Sequence, residues 1–202
     1  MIIREAPEKL KRAVVAYAGE DVAWWDASII AGGFLRAFYA GETPSDMDVY
    51  FRAHEALQGY EGLLEKDGWK STFVTERANS WVKDNHKIQT IRMIYGTPEE
   101  ILEEFDFTVC QCALSGDRVY LAETFFEDLA ARVLVFTGSR LPLSSLKRAF
   151  KYHRRGYHIC DENIVKLAED IAAAVDFGNE ESIRQHTEPM DPNGERSIRL
   201  ID

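Results

Sequence analysis

No stretch of this sequence approaches the roughly 20 consecutive apolar residues that a membrane helix requires. The N-terminus also lacks the short apolar core that marks a secretory leader. Cysteine is scarce: Cys110, Cys112 and Cys160 are the only three, too few for a disulfide framework, and a C-x-C with one distant partner is not a zinc spacing. Positive charge is outweighed, with 24 Lys and Arg against 34 Asp and Glu and a net charge of -10, which argues against an extended groove that grips long nucleic acid by general electrostatics. Gly-x-Ser-x-Gly, Walker and His-x-x-x-His patterns are absent as well. These absences exclude membrane spans and disulfide-stapled secreted scaffolds, and the expectation is a soluble cytoplasmic protein without a membrane partner.

What is present is core-forming material in short, differently patterned segments. Hydrophobic residues make up 46% of 202, enough for one domain with a helical appendage. Helical spacing runs over residues 7–18, 34–39, 55–65, 98–104, 144–155 and 162–175. Short apolar or alternating runs predict strands over 27–31, 47–51, 69–75, 87–95, 105–114 and 118–121, with the polar stretch "ERANSWVKDN" as a connection. Strand and helix interleave without strict βαβ alternation. The expected fold is therefore α+β: a mixed sheet of about five strands with flanking helices, then a C-terminal helical segment. The expected division is an α/β core over residues 1–140, helices over 141–186 and a polar, mobile tail over 187–202.

One stretch combines features that chemistry would use. "AGGFLRAFYAGETPSDMDVYF" places Gly32 and Gly33 between a strand and a helix, then Asp46 and Asp48 at the start of another strand. Alternation sends Asp46, Asp48 and Tyr50 to one face, with about 6–7 Å between the two acidic positions. Such like charges repel unless a cation lies between them, and a hard divalent ion such as Mg2+ (or Mn2+) takes oxygen ligands. Ions about 3.5–4 Å apart can serve both the attacking and the leaving oxygen of phosphoryl transfer. The paired glycines let backbone amides approach phosphate at a helix N-terminus, and Arg36 can add a guanidinium. Each element alone is commonplace; an acid pair can merely open a strand and a glycine pair can merely turn the chain.

This span, "GGFLRAFYAGETPSDMDVYF", resembles without a gap the GG-x-V-R-D…DxD signature of the poly(A) polymerase and CCA-adding branch of the DNA polymerase beta-like nucleotidyltransferases. "FDFTVCQCAL" resembles the "RRDFTINAMAL" strand of that branch, and "LPLSSLKRAFKYHRRGYHI" its pocket-closing helix. The resemblance implies a nucleotidyltransferase core that transfers a nucleoside monophosphate from a nucleoside triphosphate. It implies that Asp46 and Asp48 bind metal, that Gly32, Gly33 and Arg36 hold the triphosphate, and that Arg148 reaches phosphate or base. Asp106 matches the acid of the second motif and is the candidate third carboxylate, with Glu104 as the alternative.

The departures from the pattern bear on substrate. Ala37 replaces the acid after Arg36, Glu104 and Phe105 replace two arginines, and Cys110 replaces an asparagine. The Glu-Asp-x-x-Arg base-reading motif has no counterpart in "SRLPLSS", and domains that hold tRNA are not expected beyond the helical segment. CCA addition is therefore not expected, and the acceptor is a small molecule, a protein or an RNA end. The alternative is a catalytically silent binding or regulatory protein on the same fold, such as a toxin–antitoxin component. Two side features have bland readings beside functional ones. The basic cluster Lys147, Arg148, Lys151, His153, Arg154 and Arg155 is either a pocket lid or a solvated face with its aromatics turned inward. Trp24, Trp25 and Trp81 are more plausibly packing residues than base-stacking ones.

Overall fold

The computed structural model describes residues 1–22 and 27–186. Among these, eight strands form one sheet: β1 (Ile2–Glu5), β2 (Ser28–Ala31), β3 (Met47–Phe51), β4 (Lys70–Val74), β5 (Ala78–Lys83), β6 (His86–Tyr95), β7 (Cys112–Ser115) and β8 (Arg118–Leu121). Their spatial order is β1-β8-β7-β2-β3-β6-β5-β4. β3 and β6 run parallel, and the other pairings are antiparallel. The sheet is mixed, as the interleaved pattern implies.

Alternation along β2 separates two apolar layers. Ile30 joins the main core with Phe34, Leu35, Met47, Val49, Phe51 and Ile88, packed under α1 (Glu8–Ala18), α2 (Gly33–Ala40) and α3 (His54–Lys66). Ile29 and Ala31 turn to the opposite face, where Tyr50 and Ala113 meet Ile101 and Leu102 of α4 (Pro98–Glu103). Thr97 caps α4 in a reciprocal capping box with Glu100. After α5 (Phe125–Ala131), three more helices follow: α6 (Pro142–His153), α7 (Asp161–Ala174) and α8 (Glu180–Gln185). No helix among the described residues is long and apolar enough to cross a membrane.

Three expectations are corrected. The sheet has eight strands, not about five. β5 lies inside the stretch read as a connection, because its polar residues are buried and bonded. Ser71 Oγ donates to Asn79 Oδ1 at 2.7 Å, and Trp81 Nε1 donates to Thr90 Oγ1 at 3.1 Å. Internal hydrogen bonds thus replace the apolar alternation a strand normally shows. β1 is an edge strand held by backbone pairing to β8, with most of its side chains exposed. The long strand over 105–114 does not form: Thr108–Cys110 is a 3-10 turn, and only Cys112–Ser115 joins the sheet. The segment before that turn pairs elsewhere, with Thr108 N–H donating to the Val135 carbonyl and Thr137 N–H to that of Asp106. Cys110 and Cys112 consequently do not alternate along one strand, and both thiols are buried.

Candidate functional site

The glycine pair divides its labour. Gly32 follows β2 and precedes α2 at φ 78°, ψ -127°, a conformation open to glycine. A methyl group there would lie 2.6 Å from Cε1 of Phe105, so backbone and ring are in close approach. Its amide donates to the Cys112 carbonyl at 2.9 Å, which locks the step to the neighbouring strand. Gly33 opens the helix with nothing within 4 Å of where a methyl would stand. No side chain caps this first turn, so its amides keep the geometry that favours an anion.

The next strand brings the acids to that step. Asp48 stands opposite Ala31 of β2, one residue before the glycines, and beside Gln89 of β6. Asp46 lies just ahead of β3 and accepts a 2.7 Å bond from Ser45 Oγ. Tyr17 of α1 reports on both acids. Burial lifts its hydroxyl above the ordinary phenol range, its backbone hydrogen bond with Lys87 opposes the lift, and the charges of Asp46 and Asp48 both add to it. Both carboxylates thus lie within electrostatic reach of the Tyr17 hydroxyl.

Beside them, the sheet face carrying Tyr50 opens into a cavity of about 390 Å3. Tyr50 and Gln89 border it on the acids' side, and Glu104, Asp106, Arg140 and Arg148 line it opposite. Asp46 and Asp48 do not line it; Asp48 neighbours the lining residue Gln89 in the sheet. Asp106 is 4% exposed and accepts a 2.7 Å bond from Arg148 Nε, while Glu104 pairs with Arg140. Both candidates for a third carboxylate are thus engaged by arginines. Among the described residues no group of three or more His, Cys, Asp or Glu side chains could hold a metal ion. Asp106, expected as a third carboxylate beside Asp46 and Asp48, is paired with Arg148 in this structure and is not grouped with them. The remaining pair is an all-oxygen donor set, which fits a hard divalent cation such as Mg2+ or Mn2+.

Arg36 is also corrected. It is 1% exposed, and its Nη1 donates to Glu42 Oε2 at 2.8 Å and to the Tyr157 hydroxyl at 3.1 Å. Its guanidinium carbon lies 5.3 Å from the Tyr152 ring centroid and 5.8 Å from that of Tyr157. The helical turn that carries Arg36 points it into the main core, where it ties α2 to α6 and the segment after it instead of facing a triphosphate. In the basic cluster, Tyr152 and Tyr157 turn inward, whereas Phe150 is 61% exposed and departs from the inward-facing pattern. Trp81 is a core residue; Trp24 and Trp25, like the tail over 187–202, lie outside the described residues. Tyr17, Lys87, Gln89 and Arg140 escape a reading of the sequence, since only strand register and helix packing bring them here.

The mixed sheet with its flanking helices has the fold of nucleotidyltransferase head domains, as solved structures show. The chain is similar to the Thermotoga maritima CCA-adding enzyme complexed with tRNA, with a TM-score of 0.60, 17% identity, and coverage of 92% of this chain and 50% of that one. It is similarly related to a CCA-adding enzyme in complex with ATP, with a TM-score of 0.62, 15% identity and the same coverages, 92% and 50%. More particularly, the chain belongs to the Gabija anti-defense 2 family, whose sequence model matches residues 7–132. Gabija anti-defense 2 of Bacillus phage SPbetaL7 is 29% identical over 168 residues, covering 78% of this chain and 41% of that protein. The chain thus spans less than half the length of this curated relative and about half that of the CCA-adding enzymes.

Proposed function

We propose that this chain is a divalent-metal-dependent nucleotidyltransferase that moves a nucleoside monophosphate from a nucleoside triphosphate to an acceptor other than a CCA end. The observation that supports the reading is the register that sets Asp48 opposite Ala31, one residue before an uncapped, glycine-opened helix, and beside Gln89, which lines a cavity of about 390 Å3. In this reading Asp46 and Asp48 hold the ion, which would offset phosphate charge and activate the attacking oxygen. The backbone at Gly32 and Gly33 cradles the triphosphate, and the nucleoside occupies the cavity next to Arg148. Residues 1–140 are the catalytic core, and the helices over 141–186 close the cavity. The acceptor is a small molecule, a protein or an RNA end, and membership of an anti-defense family supports a role against a host defence.

The test is transfer of label from each α-labelled NTP, with and without Mg2+ or Mn2+, by wild type and Asp48→Asn. Wild type should transfer label only with metal. Asp48→Asn should lose at least about 100-fold in rate with an unchanged melting temperature, because the lost charge acts on metal and transition state and not on packing. A second reading, a silent binding protein on the same fold, is favoured by the engagement of Asp106 and Glu104 with arginines. NTP binding without metal-dependent transfer across a range of acceptors would support that reading instead.

A further inference from the structure

Helix α6 presents two unlike faces. Ser145, Ala149 and Tyr152 are buried, which turns Lys147, Phe150, Lys151 and Arg154 outward at the spacing i, i+3, i+4 and i+7. Arg154 follows the last turn with right-handed helical backbone, so the stripe runs unbroken to the end of the helix. Its cationic positions cover about 10 Å of helix. Phe150 stands among them with 61% of its surface exposed, although phenylalanine is among the residues most often buried. Acids outnumber basic residues in this chain, and Lys11, Lys83 and Lys166 each face a carboxylate. Lys147, Lys151 and Arg154 face none among the described residues. Next around the helix, Arg148 is paired with Asp106 and lines the cavity together with Tyr50, Phe73 and Phe105. Lys151 lies one turn beyond Arg148 on the same side, so the stripe is continuous with the cavity wall.

We propose that this face of α6 binds a short single strand of nucleic acid, with Lys147, Lys151 and Arg154 against its phosphates and Phe150 stacked on one base. The role of the surface rests on the nucleotidyltransferase reading and deepens it: the strand is the acceptor, and the stripe leads its end past Arg148 to the cavity. Three features select this partner. Cations a turn apart beside an exposed ring match a strand whose phosphates lie along one edge and whose bases are free to stack. A duplex keeps its bases stacked inside, closed to a ring on the side of a helix, and a net charge of -10 repels a long one from the rest of the surface. An acidic protein would pair with the cations but would leave unused the continuity of the stripe with a cavity walled by aromatic rings. Contact is confined to one helix, so no extended basic groove is required.

The experiment is fluorescence anisotropy of the full chain with short labelled oligouridine, oligothymidine and a duplex of equal length, in rising salt and without NTP or metal. Single strands should bind, and the duplex at least about tenfold more weakly. With three phosphates neutralised, the logarithm of affinity should fall against that of salt with a slope of about -2. The double variant Lys147→Gln, Lys151→Gln should make that slope shallower by about 1.4. Phe150→Ala should weaken binding about fivefold to tenfold at an unchanged slope. Lys166→Gln on α7 should change neither. All four side chains are exposed, so the variants should melt with wild type. Preference between the two single strands identifies the partner as RNA or DNA. Duplex binding as tight as single-strand binding, or a slope unmoved in the lysine variant, would overturn the inference. So would displacement by polyglutamate with Phe150→Ala at wild-type affinity, in favour of an acidic protein. No strand binding by a chain that still transfers labelled nucleotide to a protein or a small molecule would overturn it while sparing the nucleotidyltransferase reading. Strand binding with this profile and no transfer to any acceptor would sustain the surface and remove that reading instead.

Discussion

Replacing each glycine of the pair by alanine separates the structural from the functional half of the phosphate cradle. At Gly32 the backbone sits at φ 78°, ψ -127°, and an added methyl would stand 2.6 Å from the Phe105 ring. Holding an alanine in that region costs about 1–3 kcal/mol. Moving Phe105 adds about 1–2 kcal/mol of overpacking strain. The ring cannot simply swing away, because it packs 5.7 Å from Tyr50 and its carbonyl accepts from Gln111 and Thr137. Gly32→Ala should therefore lose about 3 kcal/mol, or roughly 6–12 °C in melting temperature for a chain of this size. Gly33 has open space and no left-handed backbone, so Gly33→Ala should change stability by less than about 1 kcal/mol. Its methyl would nevertheless intrude where the triphosphate approaches, so NTP affinity should fall. Thermal melting of both variants, with NTP titration of Gly33→Ala, makes the comparison. A Gly32→Ala protein that melts within about 2 °C of wild type would refute the steric reasoning. So would equal destabilisation by the two substitutions.

Arg36→Ala should cost about 3–5 kcal/mol in urea unfolding, since it strips Glu42 of a partner and empties a buried site between two tyrosines. A stable Arg36→Ala chain that had lost only NTP binding would return Arg36 to a phosphate-binding role. Arg148→Ala should destabilise by about 1–3 kcal/mol by stranding the buried Asp106 carboxylate, and adding Asp106→Asn should recover part of that loss. If the two substitutions prove additive, the ion pair is not coupled. Exposed Cys160, its thiol held low by hydrogen bonds from the Asn163 backbone and side chain, should react readily with a thiol reagent in the native protein, while Cys110 and Cys112 should not. Burial pushes Cys110 up to about 11 from 9.0, so above pH 9 the unfolded thiol releases a proton that the native one retains. That contribution to stability is full below pH 9 and lost towards pH 11, and Cys110→Ala should flatten the alkaline limb of the melting profile. An unaltered limb would show that the thiol does not titrate as its burial requires.

The local grammar of the chain was enough for most elements around the candidate site. β3 and β8 occupy the residues their alternation predicts, α2 starts at the glycine pair, and α6 starts at Pro142. Strand–glycine–helix–turn–strand is contiguous, so the return of Asp48 beside Ala31 through a short antiparallel connection was legible without coordinates. What could not be read was any feature decided by partners distant in sequence. β5 is stabilised by a hydrogen bond from Ser71 to Asn79 and one from Trp81 to Thr90, so its buried polar residues look like a loop. The apolar run at 105–114 breaks because the segment around Val135 and Thr137 takes its backbone bonds. Arg36 looks like a phosphate ligand one turn into the helix, yet Glu42, Tyr152 of α6 and Tyr157 just after it hold it on the core side. Asp106 looks like a third metal ligand until α6 sets Arg148 against it, and Gln89 comes to stand beside Asp48 only through the parallel register of β6 on β3. Periodicity and turn chemistry depend on neighbours along the chain and are written locally. Charge pairing across the fold depends on which strands and helices become adjacent, and only tertiary packing decides that.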